Sequence, residues 1–523
     1  MSTTNLDALL LRLSTHDYLG LRQSFEHFLV MGGTGSGKTT GPGRALASAL
    51  LRAGAGALVM VAKSEEIDTW VEYARKNGRS NSLVIFDHTR GFNFIDHELS
   101  RQGVKGLGTV IEYIVEVLEA ADMAMGTGAR ESDAFWLQSV RTLLTHSVPL
   151  IYAAWGTVSV NSIVDFVTSA AADGNQYLEP GLADRSFAAK TLRKVVDAPC
   201  APLEVSRREE LMTYWFVEYP AIPERTRGNI VVSLSAKLDR FRHGRLRDCF
   251  CGKTDIVPEM AFLGAIILVA MPALTWNQDG VIGQKLLKSA FQRTVLTRGS
   301  LAPHLRERPV VLWADEAQLF VTDTDHEFLS VCRSSRCGVV YLSQSLPTFF
   351  AQLGPGKQDA AEALIGKFGT QIFCANGCAK TNQYASQLIG RGMQYRRTEG
   401  RSTGTSFNGG MSEGTNVNRG YSSNSGHSYG PGGGSFNSGS GNNSGSGENY
   451  GTTVGRGTNT GRNYSVAENM DVIVEPRFFA SELKTGGPAN NYEVSAIWFK
   501  TSGNFIAANG GNFLLTTFNQ RKP

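Results

Sequence analysis

The chain has no pair of CxxC motifs and no cysteine with histidine partners at zinc-ligand spacing. Its seven cysteines (Cys200, Cys249, Cys251, Cys332, Cys337, Cys374 and Cys378) are scattered, which excludes a zinc module and predicts reduced core thiols of a cytosolic protein. An excess of one charge is also missing. The 51 Lys+Arg against 47 Asp+Glu leave a formal net charge of +4, so any nucleic-acid contact must come from local basic patches rather than a field over the whole molecule. Long hydrophobic runs are absent as well: the longest, Ala261 to Leu274, contains Gly264 and Pro272 and falls short of the ~20 residues a membrane helix needs. The first twenty residues place Asp7 and Arg12 in or beside a short apolar run. They lack the charged, apolar, small-residue order of a signal peptide and predict an amphipathic helix. The expectation is a chain that does not itself span a membrane.

What is present is organised. At 523 residues the chain has room for one large α/β domain and a second domain. Residues 27–62 read as strand (HFLVM), glycine loop (GGTGSGKTT), helix (GRALASALLRAGAGA) and strand (LVMVA), which is one βαβ unit of a parallel sheet. A further apolar run at 83–86 ends in Asp87. Helical periodicity then takes over from about Leu107 to Leu238, predicting an all-α domain inserted into the sheet. Strand-like runs return at 265–270, 310–314, 339–342 and 371–374. Residues 401–463 hold 18 of the 58 glycines, with Ser, Asn and Thr filling most of the rest. Such a segment offers too little apolar surface to offset its chain entropy, so a flexible insert is expected. Runs at 494–499 and 513–518 predict a final hairpin at the sheet edge. The division is therefore a helical lead-in (1–26), an α/β core in two parts (27–106 and 239–400), the all-α domain (107–238), the insert (401–463) and C-terminal strands completing the core (464–523).

The residues from Gly32 to Thr39 fit GxxxxGKS/T in full, directly after a strand and opening a helix, which is the context a phosphate cradle requires. Gly32, Gly33, Thr34, Gly35, Ser36 and Gly37 let backbone N–H groups wrap phosphates, Lys38 reaches the β/γ oxygens, and Thr39, followed by Thr40, offers a hydroxyl to Mg²⁺. The expected ligands are thus ATP and Mg²⁺. The partner motif is RPVVLWADEA (308–317), an apolar strand ending in two adjacent carboxylates. Asp315 is assigned to the Mg²⁺ through water and Glu316 to polarising the attacking water. A third strand ends in Ser343-Gln344-Ser345, placing Gln344 where it can sense the γ-phosphate. Arg333 and Arg336 precede that strand, and either suits an arginine finger reaching across a subunit boundary.

Two clusters mix basic and aromatic side chains in the way phosphate neutralisation and base stacking require. Arg240, Arg242, Arg245 and Arg247 close the helical domain, and Arg396 and Arg397 follow Tyr395. Charge runs are also common as plain solvated faces, so these are candidates for DNA contact.

Taken in order, these stretches resemble the type IV secretion coupling proteins, the TraG/TraD-like ATPases of bacterial conjugation, within the wider FtsK/HerA motor group. The likeness rests on GGTGSGKTT and WADEAQLF, on VAKSE (61–65) as a strand end, on FNFID (92–96), on DAFW (133–136) and on CRSSRCGVVYLSQS (332–345). It runs from about 27 to 375 and resumes near 470. It implies an α/β fold with a RecA-like P-loop NTPase core and an inserted all-α domain lining one mouth of a homo-hexameric ring, with Arg333 as the trans finger. It also implies single- or double-stranded DNA as cargo, a relaxase among the partners, and a cytoplasmic position, peripheral at the inner membrane. Since the family's N-terminal membrane helices are not seen, docking there would need a separate membrane-anchoring protein. A coupling ATPase for protein effectors and a non-motor P-loop NTPase remain open alternatives at this point.

Overall fold

The computed structural model describes residues 5–124, 131–179, 181–197, 203–322, 324–354, 356–409, 416–428, 435–447 and 454–521. The chain forms two compact units, Met1–Asn382 with Arg477–Pro523, and Gln383–Pro476.

The first unit is organised around a nine-stranded sheet. Its strands are β3 (Phe28–Met31), β4 (Gly56–Met60), β5 (Leu83–Phe86), β6 (Ile266–Val269), β7 (Val310–Ala314), β8 (Cys337–Ser343), β9 (Thr370–Phe373), β14 (Glu493–Lys500) and β15 (Phe513–Asn519), in the order β15-β14-β9-β3-β8-β7-β4-β6-β5. The seven from β9 to β5 are parallel, and β14 and β15 add an antiparallel hairpin at one edge. In β3, β4, β6, β7 and β8 every residue is buried. Continuous apolar runs are what a parallel sheet covered on both faces requires.

On one face the helices Arg44–Arg52 and Glu65–Lys76 bury Leu46, Leu50, Trp70 and Ala74. Trp70 packs edge-on against Trp313 of β7, with ring centroids 5.2 Å apart. The helical run Ala273–Thr297, which breaks helical geometry at Asn277 (φ 54°), buries Ile282, Leu286 and Phe291. Its Gln284 side-chain amide donates to the carbonyls of Val61 and Met271 at 2.8 and 2.7 Å. On the same run Lys288 is sealed with Asp325, both Nζ–Oδ distances being 2.7 Å, and also donates to the Phe320 carbonyl at 2.8 Å. A charge so deeply buried is tolerated only when paired and hydrogen-bonded.

Residues 5–26 differ from the helical lead-in expected for 1–26. They carry β1 (Leu9–Arg12) and β2 (Tyr18–Gly20), an antiparallel hairpin. Ser14 and Asp17 make the turn: Ser14 Oγ accepts from the Asp17 N–H at 2.9 Å, and the Leu13 N–H donates to the Asp17 carbonyl at 2.9 Å. Local turn chemistry of Ser and Asp outweighs a short helical period. Leu10 and Leu19 then enter the core while Leu9 stays exposed, the alternation of a strand.

Between β5 and β6 the chain is helical. Its helices include Phe94–Gln102, capped by the Asn93 side chain, then Leu107–Ala124, Glu131–Trp155, Val160–Thr168, Phe187–Asp197, Val205–Thr213 and Glu224–Leu238. Trp215 and Phe166 meet edge-on in its interior. Among the described residues no single helix is long and apolar enough to cross a membrane.

The second unit carries β10 (Arg391–Gly409) paired antiparallel with β13 (Val454–Val472), and β11 (Asn416–Ser428) paired antiparallel with β12 (Ser435–Gly447). These strands occupy most of the 401–463 segment for which composition predicts a flexible insert. Apolar burial is not the only force that orders a chain. A hairpin ladder is also held by main-chain N–H and C=O groups, which every Gly, Ser, Asn and Thr supplies.

Candidate nucleotide site

The glycine loop leaves β3 at Met31 and enters the helix through a wide π-type turn, Thr39–Gly43, before Arg44–Arg52. Gly35 (φ 74°) and Gly37 (φ 82°) adopt the left-handed backbone that only glycine takes without strain. A side chain at Gly35 would point into open space, while one at Gly37 would strike Val494. The loop is tied to its neighbouring strands: the Gly32 N–H donates to the Ser343 carbonyl at 3.1 Å and the Gly33 N–H to the Ala375 carbonyl at 2.9 Å. Ser36 Oγ is buried without a hydrogen-bond partner. An orphaned buried hydroxyl costs free energy unless a ligand satisfies it.

The acidic pair meets this loop. Thr39 Oγ1 donates to Asp315 Oδ2 at 2.9 Å, and Lys38 Nζ lies 3.3 Å from Glu316 Oε1. Lys38, Asp315 and Glu316 are 8, 6 and 5% exposed. Neighbours on a regular strand point to opposite faces, yet here both carboxylates turn into one cradle. The reason is that β7 ends at Ala314 and Glu316 takes a left-handed conformation (φ 47°, ψ 47°). Its N–H is received by Asp315 Oδ1 at 2.9 Å. For a non-glycine residue that backbone costs on the order of 1 kcal/mol, and strain of this kind concentrates at functional sites.

Glu316 is held from three sides: by Lys38, by Gln318 Nε2 at 2.8 Å and by Gln344 Nε2 at 3.2 Å. Burial alone would raise its pKa, but the hydrogen bond from Gln318, the charge of Lys38 and the amide of Gln344 outweigh it and hold the carboxyl below its ordinary range. Asp315 goes the other way. Burial raises it, against the pull of Lys38 and Thr39. The two neighbours are thus poised differently by their surroundings.

Sequence reasoning missed several members of the cluster. Gln318 braces Glu316 and accepts from Ser343 Oγ at 2.8 Å, and it lies within the recognised WADEAQLF stretch. Asn376 Nδ2 donates to the Gln344 carbonyl at 2.8 Å and fixes that strand end. Glu66 receives the Ala62 N–H at 2.8 Å. Its carboxyl is pushed up to about 7 by burial and by the nearby charge of Asp315. A Glu one residue beyond the VAKSE strand end was its only trace in the sequence.

The arginines lie elsewhere. Arg333 sits in the turn before β8, exposed, with a guanidinium nitrogen 3.4 Å from Glu26 Oε1. β8 runs from that turn to Gln344, so its seven residues put Arg333 roughly 20 Å from the cradle of its own chain. Arg336 instead donates to the Glu307 carbonyl at 2.6 Å. In the first basic cluster, Arg240 is engaged by Asp279 and Gln278 at 2.7 and 2.6 Å, and Arg242 by Asn161 at 3.0 Å. Arg245 stacks over Trp276 at 4.9 Å, and Arg247 is exposed. Arg396 and Arg397 fall on β10, and their side chains lie outside the described residues.

Residues 309–428, from β7 onward, match the family described as the TraM recognition site of TraD and TraG. Among solved structures, the bacterial conjugative coupling protein TrwBdeltaN70 in its unbound monoclinic form superposes with a TM-score of 0.53 at 13% identity, over 99% of this chain and 92% of that one. The chain shares the fold of TrwB. The plasmid coupling protein TrwB in complex with the non-hydrolysable ATP analogue ADPNP matches at a TM-score of 0.52 and 14% identity, with the same coverages. A trigonal form of TrwBdeltaN70 with sulphate matches at 0.53 and 14%. At these identities the likeness is one of fold, an α/β RecA-like core carrying a helical insertion, and it meets the resemblance drawn from the sequence. A search of curated proteins finds no match.

Proposed function

We propose that this chain is an ATP-driven translocase of DNA, or of a relaxase bound to DNA, acting as the coupling protein of a conjugation or type IV secretion system. It works as a homo-hexameric ring on the cytoplasmic side of the inner membrane and hydrolyses ATP at subunit interfaces. The observation that carries the reading is the convergence of Lys38, Thr39, Asp315 and Glu316 within hydrogen-bonding reach of one another. TrwB, which shares the fold, was solved with an ATP analogue, and the family matched by residues 309–428 is described as the TraM recognition site of TraD and TraG.

The donor set fits Mg²⁺. One hydroxyl and one carboxylate, Thr39 and Asp315, already touch, and magnesium usually takes one or two protein groups and fills its remaining positions with phosphates and water. When bound, the ion neutralises charge on the β- and γ-phosphates. The backbone N–H groups of Gly32–Thr39 bind the phosphate oxygens, and Lys38 leaves Glu316 to meet the γ-phosphate. Glu316, still held by the amides of Gln318 and Gln344, orients a water and accepts its proton. Gln344 bridges the γ-phosphate position and the end of β8. Because Arg333 lies at the opposite end of that strand, it serves a neighbouring subunit's triphosphate, where it stabilises the transferring charge.

The test is ATP turnover measured against protein concentration, with and without single- and double-stranded DNA. Turnover per subunit should rise steeply with concentration and rise again with DNA. Concentration-independent turnover that DNA leaves untouched would refute the ring motor.

A further inference from the structure

We propose that the C-terminal segment supplies the nucleoside end of the site, with the Tyr492 ring as a platform for a purine base and Gly487, Gln520 and Arg521 as its surround. The proposal rests on the nucleotide reading of the glycine loop and extends it to residues that no phosphate-binding motif contains.

Glu316 marks the γ-phosphate end of the cradle, so the nucleoside must leave on the far side, past Thr40. That side is built by the end of the chain. Gln520 Nε2 donates to Thr40 Oγ1 at 2.6 Å, and Arg44 donates to the carbonyls of Asn519 and Gln520 at 2.6 and 2.8 Å. Val494 lies against Gly37 and Gly41 so closely that a Cβ at either would approach its methyl groups to 2.5 or 2.8 Å. The hairpin β14–β15 is therefore pressed onto the phosphate loop itself, and the glycines at 37 and 41 serve that approach.

Beside Gln520 the backbone is held in an unusual shape. Gly486 (φ 85°), Gly487 (φ 71°), Asn491 (φ 52°) and Tyr492 (φ 60°) are all left-handed within seven residues. Three hydrogen bonds lock them: Tyr492 N–H to the Gly487 carbonyl at 2.7 Å, Gln520 N–H to the Tyr492 carbonyl at 2.7 Å, and Gly487 N–H to Gln520 Oε1 at 2.9 Å. A left-handed aromatic residue is costly enough to ask what it serves. The result is a half-buried tyrosine ring with the Arg521 guanidinium over one face, 3.4 Å from its centroid, and a Cβ at Gly487, whose carbonyl holds the Tyr492 N–H, would meet nothing within 4 Å. A ring backed by a planar cation on one face offers its other face as a stacking platform for a base. Both ends of the Gln520 amide are already engaged, so it tethers the platform to Thr40, and the ring reads the π-face of the base.

The experiment is calorimetric titration of the full chain with Mg-ATP and, separately, with inorganic tripolyphosphate, which has the phosphates but no base. Tyr492→Ala should weaken ATP about tenfold, the loss of one stacked base, and leave tripolyphosphate within about twofold. Tyr492→Phe should restore ATP affinity. The proposal is overturned if Tyr492→Ala binds ATP like the wild type, or if it weakens ATP and tripolyphosphate alike. Lys38→Ala serves as the control for the underlying reading: retained tripolyphosphate binding in that variant would sink the phosphate cradle instead.

Discussion

Charged side chains live under two opposite regimes in this molecule. At the C-terminal ends of β3, β7 and β8, Lys38, Asp315 and Glu316 are nearly sealed from solvent, and each is held by a partner in the same cluster. At the N-terminal end of β8 and on the helical region, Arg333, Arg245 and Arg247 face solvent. Buried charge survives only in fixed, paired geometry, so the first group is a finished device whose parts the fold dictates. Exposed charge costs little and specifies little until something outside arrives. Chemistry internal to the subunit is thus visible in one chain, whereas chemistry shared with a neighbour or with DNA shows only as a cation facing outward.

That contrast breaks most sharply at Lys38. Lys38→Ala should lower kcat/KM for ATP by on the order of 10³-fold or more, since it removes the phosphate clamp and leaves Glu316 without its cation. Steady-state turnover checks this, and a variant with near wild-type turnover would dissolve the distinction between the two groups. Arg333→Ala should cost roughly 10²–10³-fold in kcat with little change in ATP affinity. Mixing it with Lys38→Ala subunits should recover measurable hydrolysis, because each supplies what the other lacks. No recovery at any mixing ratio would return Arg333 to the status of a surface ion pair with Glu26.

Two smaller effects sharpen the same line. Glu66 has a folded value of about 7 against an ordinary 4.5. Between these values the folded state keeps a proton that the unfolded state has lost, so wild-type stability falls as pH rises through that window. Glu66→Gln removes the fall. Its melting temperature should exceed the wild type's by about 2–4 °C at pH 8 and match it at pH 4; an equal difference at both pH values would show that Glu66 does not titrate there. Smallest is the effect at the basic cluster proposed for DNA contact. Arg247→Ala should reduce the salt slope of DNA binding by about one, and Arg240→Ala by less, since Asp279 and Gln278 already hold that guanidinium. Equal slopes for wild type and both variants would exclude this cluster from the DNA path.

Much of the α/β core was legible because its signals are local. A buried parallel strand shows as a short apolar run, and GGTGSGKTT announces its own turn and helix. WADE gave away both carboxylates, but not that Glu316 turns left-handed to bring them to one side; that follows from Asp315 receiving its N–H and from the grip of Gln318 and Gln344. The hairpin at 9–20 was hidden because three leucines in a row suit a helix as well as a strand, and Asp17 is fixed by the distant N–H groups of Ile506 and Ala507. The paired strands of 391–472 escaped a reading built on apolar burial. The placement of Gln520 beside Thr40 carries no motif at all, since it joins residues separated by 480 positions in the sequence.

The central claim is that Glu316 performs hydrolysis in the cradle that Lys38 and Thr39 build. Single-turnover hydrolysis of Mg-ATP by Glu316→Gln, with binding measured in the same sample, tests it most directly. The account predicts ATP affinity within about threefold of wild type and hydrolysis slowed by roughly 10²–10⁴-fold. Hydrolysis at the wild-type rate by that variant would contradict it.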